Sequence, residues 1–349
     1  MSSTYTLPAN YYTNPNQYEI DKEKIFYKTW QYVGHISSLP CPNSFFTAQI
    51  ADESLVITRD EKHQLYAFYN VCRHRAHQLA SGSGKCSKFV CPYHAWSYSL
   101  DGWLYNAPNT DSIKDFDTEV RLRAIRLEMI AGLIFVNLDD KPKTLRESFP
   151  NLEEEILEKK PTLHNMRLAF TDDVFHDCNW KVSVENFSET YHLDSVHRLY
   201  SSRSEENLYV SKKCKINLRG NILEHVVPRN DGKTIQVWYL WPNVAIEIFP
   251  EHNSVSIRHL KPTGPKTTVY SYSWFVDSEL SDHDAKEIIS IGELYKEYSG
   301  VEDAVIVKSV QKGLESRSYD TGQLVISPDK TRSEHGVHHV QQLYLSALE

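Results

Sequence analysis

Two short stretches of the chain each pair a cysteine with a histidine: Cys72-Arg73-His74 and, after sixteen intervening residues, Cys91-Pro92-Tyr93-His94. Iron and zinc both bind thiolate and imidazole, so this set predicts a metal site. Zinc sites normally group their ligands into a cysteine pair and a histidine pair, whereas each stretch here holds one of each. The mixed pairs favour a two-iron cluster in which each loop gives one ligand to each iron, and zinc stays the alternative. Neutral imidazoles on one iron raise the potential of such a cluster above that of an all-cysteine cluster.

The sequence around these stretches, at residues 44–138, predicts β structure. Residues 54–59 and 65–71 are rich in β-formers and flank a polar turn. Asp101-Gly102 lies between two aromatic-rich runs, a strong hairpin signal. Residues 81–84 (Ser-Gly-Ser-Gly) predict a flexible turn between the two metal-binding loops.

A charged segment with three prolines at residues 139–164 predicts a domain boundary. We expect an N-terminal arm at residues 1–38, a β-rich domain at 39–145 and a larger domain at 146–349. Hydrophobic patterns and helix-start signals outside the β-rich domain predict strands at residues 235–240, 244–249, 255–260 and 268–275, and helices at residues 21–30, 152–159, 180–194 and 282–311.

A second group of metal-binding residue types begins at Glu185-Asn186-Phe187-Ser188-Glu189-Thr190-Tyr191-His192 and ends at His197. Two histidines about one helical turn apart can reach one metal, and a carboxylate would complete a site that leaves positions open on ferrous iron for O2. Such a histidine pair alone is more often merely hydrogen-bonded. The upstream motif favours iron, because a cluster that delivers single electrons needs an acceptor. The carboxylate candidates in a late helical pattern are Asp303 and Glu302.

The composition excludes several classes of function. Of the 349 residues, 40% are hydrophobic and 24% charged, as in ordinary globular proteins, and the net charge of −8 disfavours nucleic-acid binding. The longest apolar run, residues 129–138, is far shorter than the roughly 20 residues of a membrane span, and the N-terminus has no signal-peptide pattern. We therefore expect no membrane association and a cytoplasmic location, where six scattered cysteines serve as metal ligands or buried thiols.

The stretch Cys91-Pro92-Tyr93-His94-Ala95-Trp96 resembles the second cluster-binding loop of the Rieske family. The order and distance of both motifs resemble the alpha subunits of Rieske non-haem iron oxygenases, also called the aromatic-ring-hydroxylating dioxygenase family, over about residues 10–345. The resemblance implies an α+β fold. In it, a β-rich Rieske [2Fe–2S] domain is inserted in a catalytic domain with an antiparallel sheet flanked by helices. It also implies a head-to-tail homotrimer.

The resemblance also implies site residues. Cys72 and Cys91 would ligate one iron of the [2Fe–2S] cluster, and His74 and His94 the other. The ligands of a mononuclear Fe(II) would be His192, His197 and Asp303, because Gln311, eight residues after this acid, matches a late helix of the family. Asn186 and Glu189 are the implied catalytic residues. Glu189, three positions before the first histidine, would bridge the mononuclear iron and the cluster of the next subunit.

The form of this segment also bears on the substrate. Ring-dihydroxylating members carry Asp in place of Glu189, with one more residue after the preceding Asn. Asn186-Phe187-Ser188-Glu189 and residues 334–338 are similar instead to the choline, glycine betaine and carnitine oxygenases. This implies O2-dependent oxidation of a small quaternary ammonium compound, by N-demethylation or by C–H hydroxylation. The alternative is an aromatic-ring-hydroxylating dioxygenase or monooxygenase that acts on an aromatic acid. Aromatic side chains could form a cage for the ammonium group. Any single one is expected more often to pack in a core, and the same residues could also line a pocket for an aromatic ring. The candidates are Tyr191, Tyr200, Trp238, Tyr239, Trp241, Phe249 and Trp274.

Electrons must come from elsewhere. The chain has no nicotinamide or flavin motif, because Gly82 and Gly84 lack a third glycine and the strand–helix context is wrong. We therefore expect a separate NAD(P)H-dependent reductase that carries flavin and iron–sulfur groups.

Overall fold

The computed structural model of the chain describes residues 4–197, 213–229, 232–249 and 254–349. They form two compact units. One is Phe26–Glu147, and the other combines the residues up to Ile25 with Ser148–Glu349. The first division comes earlier than the expected 38/39, because residues 31–35 form a strand that pairs inside the first unit.

The unit Phe26–Glu147 consists of two antiparallel sheets. The strands are β1 (Gln31–His35), β2 (Ser44–Ile50), β3 (Glu53–Arg59), β4 (Leu65–Tyr69), β5 (Ser83–Lys85), β6 (Lys88–Val90), β7 (Ser97–Ser99), β8 (Leu104–Asn106), β9 (Ala124–Ile130) and β10 (Leu133–Asn137). The larger sheet has the order β1-β10-β9-β4-β3-β2-β5, and the smaller sheet has the order β6-β7-β8.

Two of the three local predictions for this unit are confirmed. β3 and β4 pair in antiparallel register, and Asp101-Gly102 lies in the turn between β7 and β8. Gly102 has φ +89°, and a Cβ there would lie 2.5 Å from the ring of Phe68, so both conformation and space require glycine. The prediction of a flexible turn at residues 81–84 is wrong at its end: Ser83 and Gly84 belong to β5, which pairs with β2.

The larger unit is built on one seven-stranded antiparallel sheet with the order β11-β17-β16-β15-β14-β13-β12. Its strands are β11 (Met166–His176), β12 (Lys215–Arg219), β13 (Ile222–Pro228), β14 (Thr234–Leu240), β15 (Val244–Phe249), β16 (Ser254–Gly264) and β17 (Thr267–Asp277). Among the described residues, the α-helices are α1 (Asn10–Thr13), α2 (Pro15–Asp21), α3 (Leu145–Ser148), α4 (Leu152–Lys159), α5 (Trp180–Phe187), α6 (Leu193–Val196), α7 (Asp282–Tyr295), α8 (Glu302–Leu314) and α9 (His335–Leu348). Within the described ranges, no helix is both long and apolar enough to cross a membrane.

The predicted strands of this unit are confirmed as β14 to β17, and the helix at residues 152–159 is confirmed as α4. The helix predicted at 21–30 lies earlier, at α2 and a π-helix at Lys22–Phe26, because Asn14 caps it and Pro15 starts it. The helix predicted at 180–194 is broken between α5 and α6. The helix predicted at 282–311 contains a π-helix at Lys296–Val301 between α7 and α8.

Helix α5 is tied to both ends of the chain by buried polar contacts. Glu185 accepts hydrogen bonds from the Tyr12 hydroxyl (2.6 Å) and from Nε2 of Gln341 in α9 (3.1 Å). Lys181, one turn earlier, pairs with Asp21 at 2.5 Å. Burial raises the pKa of Glu185 to about 7, although its hydrogen bonds and Lys181 oppose the rise. These contacts fix the helix that leads into the second predicted metal site.

Candidate metal centres and cavity

The two cysteine–histidine stretches form loops of the same backbone shape. In each loop the cysteine N–H donates to the carbonyl five residues later, at 2.8 Å for both Cys72 and Cys91. The cysteine carbonyl accepts from the N–H four residues later, at 3.1 Å from Ala76 and 2.9 Å from Ala95. Both alanines lie in the left-handed region, with φ +58° and +59°. Two strained alanines at equivalent positions indicate that the tight turns serve a site.

The loops bring the predicted cluster ligands together. Cys72 and Cys91 are each 2% exposed and belong to the hydrophobic core of their unit. The rings of His74 and His94 are 4.6 Å apart, and His74 stacks on Trp96 at 4.7 Å. Nδ1 of His94 is buried and has no hydrogen-bond partner among the described residues. Because such an atom costs about 1–3 kcal/mol unless something satisfies it, the set fits a metal cluster bound between the loops.

Tyr98 is a further residue of this site that the sequence did not reveal. Its hydroxyl is fully buried, accepts the Arg73 N–H (3.0 Å) and lies 3.3 Å from the sulfur of Cys72. Burial raises the pKa of this phenol, so it stays protonated and can donate to the sulfur. Its contact with Cys72 joins residues 26 positions apart, so no local sequence pattern indicates it.

His192, His197 and Asp303 converge in the larger unit. One ligand atom of each lies within 4.8 Å of the others. Oδ1 of Asp303 is 3.5 Å from Nε2 of His197 and 3.8 Å from Nε2 of His192. The histidines occupy the two ends of the one-turn helix α6, and Asp303 lies in the first turn of α8. The separation of the histidines is therefore set by α6.

A second carboxylate lies behind each histidine. Glu189 contacts Nδ1 of His192, and Oε2 of Glu302 is 2.8 Å from Nδ1 of His197. A carboxylate on Nδ1 fixes the tautomer that leaves Nε2 available to a metal. Glu302, the competing candidate for the third ligand, thus faces the outer nitrogen of His197, whereas Asp303 faces both Nε2 atoms.

Asp303 has the surroundings of a metal-binding carboxylate. It is 7% exposed, and its Oδ1 has no hydrogen-bond partner in the described part of the chain. Burial raises its pKa, and the two histidines and a hydrogen bond with Asn186 oppose that rise. A divalent cation held by Asp303 and the two histidines would satisfy the buried oxygen and reverse the effect of burial.

The three residues open onto a cavity of about 150 Å³ between the helices and the sheet. Phe187 and Phe249 contribute apolar surface to its lining, and His225, Glu247 and Arg258 contribute polar groups from β13, β15 and β16. The cavity is therefore small and mostly apolar, with a few polar groups from the sheet.

Most of the aromatic candidates for a cage pack in the core instead, which is the alternative that the sequence favoured for each of them. Of the seven candidates, Phe249 lines the cavity, Tyr191 is 51% exposed, and Tyr200 lies outside the described residues. The other four are at most 4% exposed and pack in the core: Trp238, Tyr239, Trp241 and Trp274. Phe187, which is not among these candidates, also lines the cavity.

Comparison with known proteins agrees with this geometry. The family model described as "Rieske [2Fe-2S] domain" matches residues 29–117, and "Ring hydroxylating alpha subunit (catalytic domain)" matches residues 163–349. The carnitine monooxygenase oxygenase subunit of Escherichia coli (strain K12) is 34% identical, over 97% of this chain and 92% of the relative. Choline monooxygenase of Beta vulgaris is 29% identical, over 96% of this chain and 75% of the relative.

Solved structures give the same result. The quaternary ammonium Rieske monooxygenase CntA, crystallised with L-carnitine, has a TM-score of 0.90 and 31% identity, over 99% of this chain and 96% of that one. Naphthalene 1,2-dioxygenase from Rhodococcus sp. has a TM-score of 0.85 at 18% identity, a similarity of fold.

The chain therefore belongs to the ring-hydroxylating alpha-subunit family of Rieske oxygenases. It is an oxygenase enzyme with a [2Fe–2S] cluster and a mononuclear iron as its cofactors, and zinc is set aside for the first site. Within the family it is similar along nearly its whole length to the carnitine and choline monooxygenases, the branch that the sequence indicated.

Proposed function

We propose that the chain is the oxygenase component of a two-component system that oxidises a small quaternary ammonium compound with O2. The observation that carries this proposal is the small cavity directly over His192, His197 and Asp303, in a chain similar to carnitine and choline monooxygenases. Hydroxylation of a C–H bond next to the ammonium nitrogen gives a carbinol, and its C–N bond then breaks. The products are an aldehyde, a tertiary amine and a proton. From an N-methyl group, the aldehyde is formaldehyde.

The residues divide into two sets of ligands. We assign the cluster to Cys72 and Cys91 on one iron and to His74 and His94 on the other, and the mononuclear iron to His192, His197 and Asp303. When bound, the cluster supplies single electrons and the ferrous iron supplies open positions for O2. Asn186 hydrogen-bonds to the carboxylate of Asp303, and the mostly apolar lining of the cavity surrounds the reacting C–H bond.

Glu189 is proposed to link the two centres between subunits. Its carboxylate is 10% exposed, contacts Nδ1 of His192 and accepts the His192 backbone N–H at 3.1 Å. It thus holds a ligand histidine from the side away from the iron. A head-to-tail homotrimer would place the cluster histidines of the next subunit beside it. A study of CntA describes inter-subunit electron transfer in that protein.

A separate NAD(P)H-dependent reductase is the proposed electron source, since the chain carries no nicotinamide or flavin motif. The proposed location is the cytoplasm. All six cysteines are free of disulfides, as is usual where thiols are kept reduced.

A single-turnover experiment tests the function. The protein is loaded with both cofactors, reduced, and exposed to O2 with either trimethylammonium compounds or aromatic acids, and the products are identified by mass spectrometry. We expect a tertiary amine and the matching aldehyde, with at most one equivalent of each product per mononuclear iron. A diol or phenol from the aromatic set, with no amine oxidation, would refute the proposal in favour of ring hydroxylation.

A further inference from the structure

We infer that Gln311 is a positioning residue of the mononuclear iron site. It contacts Asn179 at the start of helix α5, while Asn186 near the end of α5 contacts Asp303. The two contacts hold helix α8 in the register in which Asp303, rather than Glu302, faces the two histidines. The inference rests on the ligand set of the proposed function, and it is independent of which substrate the enzyme oxidises.

The buried face of α8 is apolar in its middle and polar at two positions. Its buried residues lie four, four and three positions apart, on one stripe of the helix: Asp303, Val307, Gln311 and Leu314. Gln311 is only 4% exposed. A buried amide costs free energy unless hydrogen bonds satisfy it. The partner of Gln311 therefore shows what this position requires.

The partner is the backbone of Asn179, the residue that caps the N-terminus of α5. The Asn179 N–H donates to Oε1 of Gln311 at 2.9 Å, and both residues are buried. The Asn179 side chain is occupied elsewhere, because Oδ1 accepts the Lys181 N–H at 3.0 Å and Nδ2 donates to the Pro265 carbonyl at 2.8 Å. An N–H at the start of a helix has no partner within that helix. Gln311 supplies the acceptor from α8.

The opposite ends of the two helices are joined as well. Asn186, in the last turn of α5, hydrogen-bonds to Asp303, in the first turn of α8. The two contacts lie seven positions apart on α5 and eight apart on α8, which is about 10.5 Å and about 12 Å along the two helices. The helices therefore run antiparallel, and their end contacts have matching separations.

These contacts discriminate between the two adjacent acids. If α8 slid by one residue, it would move about 1.5 Å and turn about 100°. Glu302 would take the place of Asp303. Val310 would take the place of Gln311, and a valine side chain has no acceptor. The buried Asn179 N–H would then be left unsatisfied, which disfavours the register in which Glu302 is the ligand.

The segment before α8 does not impose this register. The π-helix at Lys296–Val301 separates α7 from α8 and interrupts the α-helical periodicity. It lies close to the sheet, since a Cβ on Gly300 would be 2.6 Å from the Tyr272 hydroxyl oxygen and 3.2 Å from Cγ2 of Val174. The rotation of α8 is therefore set by contacts with the rest of its unit, such as the one that Gln311 makes.

Fe(II) affinity of the cluster-loaded protein reports the position of the carboxylate ligand. Gln311→Met keeps the length of the side chain and removes the acceptor. We expect it to weaken Fe(II) binding about 10- to 100-fold in competition with a chromophoric chelator. Gln311→Glu keeps an acceptor oxygen and should stay within about threefold of the natural protein. The EPR signal of the ferrous iron with nitric oxide, which reports ligand geometry, should change for Gln311→Met and not for Gln311→Glu.

Thr268→Val is the matched control for stability. The buried Thr268 hydroxyl donates to the Cys178 carbonyl at 3.0 Å, one residue before Asn179. Like Gln311→Met, this variant removes one buried hydrogen bond at the start of α5, so both should lower the midpoint of denaturant unfolding by similar amounts. Thr268→Val should leave Fe(II) affinity and the EPR signal unchanged. Equal losses of Fe(II) affinity in the two variants would make Gln311 a structural residue only.

A double-mutant cycle tests whether Gln311 acts through Asp303. The cycle uses Ni(II), which binds imidazole more tightly than Fe(II), so that affinity stays measurable without the carboxylate. In the Asp303→Ala background, Gln311→Met should change Ni(II) affinity by less than about threefold, because the ligand that it positions is gone. Equal losses in both backgrounds, or an unchanged affinity of Gln311→Met alone, would refute the positioning role.

These outcomes are distinct from failure of the proposed function. If the natural protein oxidises aromatic acids and no ammonium compound, the substrate assignment fails while the positioning role stands. If Asp303→Ala leaves Fe(II) affinity unchanged, the ligand assignment fails, and the positioning role fails with it. If Gln311→Met does not fold, Gln311→Ser is measured in its place with the same expected loss, since a water can reach the Asn179 N–H beside the shorter side chain.

Discussion

Glu189 and Glu302 occupy equivalent positions behind the two histidines, and this equivalence gives a sharp test of the proposed bridge between subunits. Each contacts Nδ1 of one histidine, His192 or His197. Glu189→Gln and Glu302→Gln remove the same charge and keep one carbonyl oxygen as an acceptor. If both acids served only to orient their histidines, the two variants would behave alike.

The contacts of the two acids set the loss of Fe(II) affinity expected for each variant. Glu302 makes one charge-assisted contact to its histidine. Glu189 makes one to the ring of His192 and accepts the backbone N–H groups of Tyr191 and His192. Exchanging a charged acceptor for a neutral one costs roughly 1–2 kcal/mol, or about 5- to 30-fold in affinity. That range agrees with the 10- to 100-fold loss of metal affinity that typically follows mutation of a residue behind a metal ligand. Both variants should therefore bind Fe(II) about 10-fold more weakly and become fully loaded when iron is in excess.

Turnover distinguishes the two acids. With both centres loaded, as verified by iron and acid-labile sulfide analysis, Glu302→Gln should keep product formation within about 10-fold of the natural protein. Glu189→Gln should reduce it by at least about 100-fold while the cluster is still reduced at the normal rate. Equal turnover of the two loaded variants would refute the bridging role and leave Glu189 as a residue that only orients His192. If sedimentation velocity shows that Glu189→Gln no longer forms trimers, the loss of turnover would instead be attributed to failed assembly.

Four further predictions each concern a single position. Gly336→Ala would place a Cβ 2.1 Å from the backbone oxygen of Ser188, so we expect a loss of about 1–3 kcal/mol in unfolding free energy and weaker iron binding. Gly313→Ala in α8 meets nothing within 4 Å, and denaturant titration should show it unchanged or stabilised by up to about 1 kcal/mol. Tyr98→Phe removes the hydroxyl beside a cluster sulfur and should lower the reduction potential of the cluster by roughly 40 mV in a spectroelectrochemical titration. An unchanged potential would contradict a hydrogen bond from this hydroxyl to the sulfur. Because burial raises the pKa of Glu185 from 4.5 to about 7, the native state favours its protonated form, and stability should fall by about 3 kcal/mol as pH rises from 4.5 to 7. Glu185→Gln should flatten that slope in chemical denaturation at pH 5 and pH 8, and an unchanged slope would contradict the assignment.

The loops and hairpins of the first unit could be predicted because their determinants are local. The two cysteine–histidine stretches and the Asp101-Gly102 turn each lie within a few residues, so residue type and spacing decide the structure. Tyr98 escaped notice because its contact with Cys72 spans 26 positions and crosses strands. No pattern within a single strand indicates which buried tyrosine points at a sulfur.

The choice between Asp303 and Glu302 shows a different limit. Adjacent positions on a helix point about 100° apart, so which acid faces the histidines depends on how α8 is rotated against α5 and α6. A related limit applies to choosing which aromatic residues line the cavity. Their hydrophobicity predicts burial for a core position and for a cavity wall alike. In this unit Trp238, Tyr239 and Trp274 are buried in the core.

The clearest departure from local pattern lies at the site itself. The sequence predicts one helix over residues 180–194, yet α5 ends at Phe187 and α6 begins at Leu193. A continuous helix would carry Glu189 and His192 around its axis and away from Asp303. Ser188 ends α5 by donating its hydroxyl to the Val184 carbonyl at 2.7 Å, while the close approach of Gly336 in α9 supports the turn. The break leaves out helical hydrogen bonds and points both histidines at one carboxylate. Local sequence rules are expected to fail where function requires such a break.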